Sequence, residues 1–160
     1  MDQEVMSLPI GKGEVLREGE DVVIIAVGNM VRPSLEAAER LKMEGISAAV
    51  VNARFVKPLD EDLILKMAKR TGRIVTVEEH ALQGGFGSAV LECIDGNRLT
   101  GVKTHRIGLP DRFIEHGTQS MLRQKYGLDA DGIFASVRDF MEKTRLKAVA
   151  PVASIKTMEA

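Results

Sequence analysis

Three adjacent side chains, Glu78, Glu79 and His80, have the means to move a proton, and a glycine cluster, Gly84, Gly85 and Gly87, follows closely. A Glu–His pair supplies a general base and the group that orients it, provided both side chains enter one cleft. Glycines at the start of a helix can bring backbone amides close to an anion. Two facts oppose a catalytic reading. Neighbouring strand residues alternate faces, and acidic residues in a turn serve equally well to cap the next helix or to meet another subunit. The order GGFG also departs from the dinucleotide fingerprint GxGxxG and has no suitably placed ribose-binding acid, so close backbone packing is its plainer meaning.

Other chemically able residues are dispersed. Arg54 and Lys57, in NARFVKPLD, could contact a phosphate near strand ends, although long basic side chains in loops more commonly face solvent or an interface. His80, His105 and His116 lack the spacing of a zinc motif. Asp129, Asp131 and Gly132 begin like a calcium loop but lack the downstream ligands and the terminal glutamate. Cys93 has no histidine partner and fits a small buried apolar position, and Ser88 is not in a GxSxG elbow. GKG at 11–13 is too short for a phosphate-binding P-loop, which leaves Lys12 as a solvent-facing charge. No catalytic, cofactor-binding or metal residue is assigned on these grounds. Glu78, Glu79, His80, Gly84, Gly85, Gly87, Arg54 and His116 stand as an interface or loop site.

The elements that must position these residues follow from hydrophobic period. Arg73 to Val77 is a β-branched run suited to a sheet interior, and Phe86, Val90, Leu91 and Ile94 return at helical spacing, so 78 to 85 is a strand-to-helix crossing. Such crossings at the carboxyl ends of parallel strands are where α/β proteins place ligands or partner surfaces. Val22 to Val27 is continuously apolar, which predicts a strand covered on both faces, and Ser47 to Asn52 is a second inner strand. Gly11 to Leu16 reads as a short edge strand and Val102 to Gly108 as the last one. Helices are predicted over Val31 to Met43, over Glu61 to Arg70 with Asp60 as cap, and around Gly87 to Ile94. A short helix capped by Thr118 or Ser120 runs to Tyr126, and a final one spans Gly132 to Leu146. Leu109 to Gly117 is a long connection. Strands and helices alternating in this way predict a three-layer α/β sandwich.

Composition narrows the function classes. A chain of 160 residues, 44% apolar and 28% charged, is one folded domain by length and needs no metal or disulfide staple. A formal charge of -1 gives no reason to expect nucleic acid or an anionic membrane as partner, and an aromatic content of 4% leaves few stacking platforms. No apolar run approaches the roughly 20 residues of a membrane span. The start lacks a secretory signal, so the chain reads as cytoplasmic or as a piece cut from a longer protein.

LPIGKGEVLREGE, NARFVKPLD, VTVEEHALQGGFGSAV, IGLPDRFIEHGTQ and YGLDADGI together resemble the carboxyl-terminal domain of the 1-deoxy-D-xylulose-5-phosphate synthase family, thiamine diphosphate enzymes of the transketolase superfamily. The resemblance runs from about Leu8 to Phe140. RFVKPLD and the acidic stretch with its glycines are shared with transketolase-like and pyruvate-dehydrogenase-like domains, whereas GLPDRFIEHGTQ followed by GLDADGI points to the synthase. What the resemblance implies is a five-stranded, mostly parallel sheet with one antiparallel edge strand. It implies a transferase that joins pyruvate, after decarboxylation, to glyceraldehyde 3-phosphate and feeds isoprene and thiamine biosynthesis. Thiamine diphosphate and Mg2+ would be bound by the amino-terminal and middle domains of a homodimer, for no GDG motif occurs here. On that basis residues 1–10 are a linker or an added start, 11–146 a transketolase C-terminal-like domain serving packing and dimer assembly, and 147–160 a flexible tail. The piece alone is expected to be inactive and to bind no cofactor, and residues 78 to 87 with 109 to 118 are expected to face the rest of the enzyme. The alternatives are the matching domain of a pyruvate dehydrogenase β subunit or a transketolase, and an independent anion-binding module.

Overall fold

Five strands in one sheet and five α-helices make up residues 8–146, which the structure, a computed structural model, describes; residues 1–7 of the expected 1–10 linker and the expected tail at 147–160 lie outside them. The strands are β1 (Glu14–Arg17), β2 (Val22–Ala26), β3 (Ala48–Asn52), β4 (Arg73–Ala81) and β5 (Lys103–Leu109), and the sheet order is β1-β3-β2-β4-β5. β1 pairs antiparallel with β3, and every other neighbouring pair is parallel. The expected fold class, a mostly parallel sheet with one antiparallel edge, is the observed one.

β2 is central because nothing in VVIIA tolerates water: all five residues are wholly buried. Its alternate residues feed two cores. Val22, Ile24 and Ala26 meet Ala37, Ala38 and Leu41 of α1 (Val31–Met43) and Ile133, Val137 and Met141 of α5 (Ala130–Leu146). Val23 and Ile25, with Val27 just past the strand, meet Ile64 and Met67 of α2 (Glu61–Thr71) and Phe86, Val90 and Ile94 of α3 (Phe86–Gly96). Each large side chain so buried contributes about 1.5–3 kcal/mol, which holds two helices on each face of the sheet. The short α4 (Gln119–Lys125) stands apart, with no buried residue.

Three of the boundaries that differ from the sequence expectation do so for a local reason. β1 starts at Glu14 because the Gly13 amide donates to the Asp60 carboxylate at 3.0 Å and not to a strand. Lys12 is solvent-facing as expected, 53% exposed, with its ammonium 3.3 Å from Asp60. α5 starts at Ala130, two residues earlier than expected, because Asp129 accepts from the Gly132 amide at 2.8 Å and so caps it. β4 continues to Ala81 instead of stopping at Val77. Its ladder with β5 is irregular there, as Val77 pairs with Ile107 and Ala81 with Leu109, so more residues of β4 than of β5 fill the interval. Glu78, Glu79 and His80 occupy that bulge, the kind of irregularity that re-aims side chains at a strand end.

Candidate functional site

The bulge sends its three residues to different environments. Glu78 is fully buried, and its Oε2 accepts from the Phe86 amide at 2.5 Å while its Oε1 accepts from the Gly87 amide at 2.8 Å. Those amides open α3 and have no intrahelical partner. The residue preceding them, Gly85, has no side chain to offer, so a carboxylate reaching from β4 caps the helix. The glycines are explained by the same contact. A Cβ on Gly85 would lie 2.1 Å from Glu78 Oε2 and 2.3 Å from the Ala81 carbonyl, and one on Gly87 would lie 2.6 Å from Thr76 Oγ1.

His80 does not join Glu78 as a general-base pair. Its Nδ1 is 3.8 Å from Glu78 Oε2, beyond hydrogen-bond reach, and its side chain is 62% exposed. Glu79 turns to the opposite side, where Arg123 of α4 clasps both carboxylate oxygens, Nε to Oε1 at 2.8 Å and Nη2 to Oε2 at 2.9 Å. The Arg123 guanidinium holds the Glu79 carboxyl below its usual range, against the smaller opposing effect of burial, and Gln119 and Asn29 assist. Gln119 donates to the same carboxylate at 3.3 Å.

Sequence reasoning did not find the group that fixes the glycine turn. Arg106 of β5 donates through Nη1 to the Leu82 carbonyl at 2.8 Å and to Ser88 Oγ at 2.9 Å. Ser88 in turn donates to the Leu82 carbonyl and accepts from the Gly84 amide at 3.1 Å. Gly84, exposed and at φ +71, is the left-handed residue that lets the chain double back. The Leu82 amide donates to the Leu109 carbonyl at 2.9 Å, so the 78–87 and 109–118 stretches are neighbours. Arg106 and Arg123 carried no local signal, because their partners lie 18 to 24 and 40 or more residues away in sequence.

The remaining candidates sit elsewhere. Arg54, at φ 57, donates its amide to Asn52 Oδ1 and its guanidinium to Glu14 at 2.5 Å, on the β1–β3 side of the sheet. β2 separates it from β4, so it shares no site with Glu78. His116 is exposed in the loop before α4, beside Leu122 and Lys125 in an open depression. Between that loop and the sheet lies a cavity of about 220 Å³ lined by Leu109, Ile114, Leu122 and Leu128, with Glu79 and Arg123 at its edge.

Residues 11–133 match the model of the transketolase C-terminal domain. The chain belongs to that family. Among curated relatives of this transketolase C-terminal domain, the 1-deoxy-D-xylulose-5-phosphate synthase 1 of Geobacter metallireducens is 58% identical over 89% of the chain and 23% of the relative. The 1-deoxy-D-xylulose-5-phosphate synthase of Heliobacterium modesticaldum is 52% identical over 98% of the chain and 24% of the relative. The domain thus spans about a quarter of the length of the curated relatives it matches. A solved structure described as a split-gene transketolase, inactive beta4 tetramer, superimposes with a TM-score of 0.78 at 40% identity, over 86% of this chain and 44% of that one. The resemblance read from the motifs is therefore the one these comparisons return.

The acidic residues at the site do not fit a magnesium-bound diphosphate. Glu78 has both oxygens committed to backbone amides, and Glu79 is neutralised by Arg123. Among the described residues no group of three or more His, Cys, Asp or Glu could hold a metal ion. The glycine turn fits a free anion no better, because the amides that would bind it already face Glu78.

Proposed function

We propose that this chain is the carboxyl-terminal domain of a 1-deoxy-D-xylulose-5-phosphate synthase, a cytoplasmic transferase that converts pyruvate and glyceraldehyde 3-phosphate to 1-deoxy-D-xylulose 5-phosphate and CO2. The observation that carries the reading is high identity to synthases along nearly the whole chain, combined with a length about a quarter of theirs. In this reading thiamine diphosphate with Mg2+ supplies the carbanion chemistry and is held by the amino-terminal and middle domains. The domain described here packs against those domains and contributes to assembly of a homodimer, with 11–146 as the folded unit. Its acidic strand end supports that division of labour, since both carboxylates serve the architecture of the domain and neither is left to abstract a proton.

The test is reconstitution. The 160-residue chain is mixed with the separately produced amino-terminal and middle segments of the Geobacter metallireducens synthase, and 1-deoxy-D-xylulose 5-phosphate is measured. No product from the chain alone and product from the mixture above that of the segments alone supports the reading. Turnover by the chain alone, or no association with the segments, overturns it.

A further inference from the structure

Residues 110–126, the loop and α4 together, are fastened to the rest of the chain in an unusual way. Among the described residues, every side-chain hydrogen bond that leaves this stretch ends on Glu79: two from Arg123 and those from Gln119. Its other side-chain hydrogen bonds close on themselves, with Lys125 and Tyr126 both bound to Glu115 and Thr118 capping α4. No residue of α4 is buried, Phe113 is wholly exposed and Met121 is 65% exposed. Underneath Ile114 and Leu122 lies the cavity of about 220 Å³, and Tyr126, at the end of the stretch, is its one side chain packed against a core. An element with few buried contacts and one polar anchor has a low local free energy of opening.

We infer that residues 110–126 form a strap latched to the body of the domain by the Glu79–Arg123 pair, and that breaking this pair releases the strap from the end of β4 while the sandwich stays folded. The Arg123 fork is planar and meets both carboxylate oxygens, which makes the latch directional as well as electrostatic. Its partner stands in the β4 bulge one residue after Glu78, so the strand that caps α3 on one side holds the strap on the other.

Hydrogen–deuterium exchange of the 160-residue chain, followed by peptide mass spectrometry, tests it with E79A, R123A and the double variant. Each single variant is expected to speed exchange in 119–126 by roughly tenfold while β2 and the 73–77 part of β4 keep wild-type rates. The double variant is expected to be no faster than either single one, because one interaction has been removed twice. Wild-type 119–126 is also expected to exchange faster in about 1 M salt, with no such response in E79A. Unchanged exchange at 119–126 in E79A, equal acceleration of β2 and β4, or multiplying effects in the double variant would each overturn the latch.

Discussion

Glu78 and Glu79 are chemically identical neighbours whose roles are set by which side of β4 they leave from. Glu78 offers two acceptors to two amides, and a glutamine there has one acceptor and one donor, so one amide of Phe86 or Gly87 would face an N–H. Because the site is fully buried, no water can substitute. Glu78→Gln is therefore expected to cost about 2–3 kcal/mol, read as a lower urea midpoint with an unchanged slope. Gly85→Ala is expected to destabilise by a comparable amount through a different route, since its Cβ would collide with Glu78 Oε2 and the Ala81 carbonyl. If Glu78→Gln unfolds at the wild-type midpoint, the cap is not what holds α3 to β4.

At the scale of elements, α2 shows how one carboxylate joins parts distant in sequence. Asp60 accepts from the Leu63 amide at the head of α2, from the Gly13 amide and from Lys12. Burial pushes its carboxyl up, but these hydrogen bonds outweigh burial and leave it below the usual range. A lowered folded value means that the stabilisation is present above the unfolded value of about 3.9 and is lost as pH falls through the folded one. Asp60→Asn is expected to cost about 1–2 kcal/mol near neutral pH, and the gap to wild type should close below about pH 4. Chemical denaturation across that range checks it, and a gap that persists at low pH would assign the loss to shape instead of charge. The Asp60 cap was legible in the sequence because an N-cap is local, three residues from its amide. Its bond to Gly13 was not, because the two residues are 47 positions apart, and that bond is what moved the start of β1.

For the whole molecule the same division holds. The layered sheet could be read from VVIIA and the helical stripes because burial imposes period on every residue. The β4 bulge could not, because it follows from how β5 pairs beside it, and Glu78, Glu79 and His80 therefore looked like a turn. The strap was legible as a long connection followed by a short helix, but its anchoring was not, since Glu79 lies 44 residues before Arg123. Its surface bears on the proposed assembly. Phe113 and Met121 both project from the strap and add nothing to either core, so replacing them by serine should leave stability within about 0.5 kcal/mol. If the strap is the face that meets the remainder of the synthase, Phe113→Ser with Met121→Ser should weaken binding to the amino-terminal and middle segments by roughly tenfold or more, as loss of a central apolar anchor does. Calorimetric titration of those segments with the doubly substituted chain measures this directly. Wild-type affinity from a folded variant would move the docking face away from the strap and leave Phe113 as a lone exposed side chain of the kind that needs no partner.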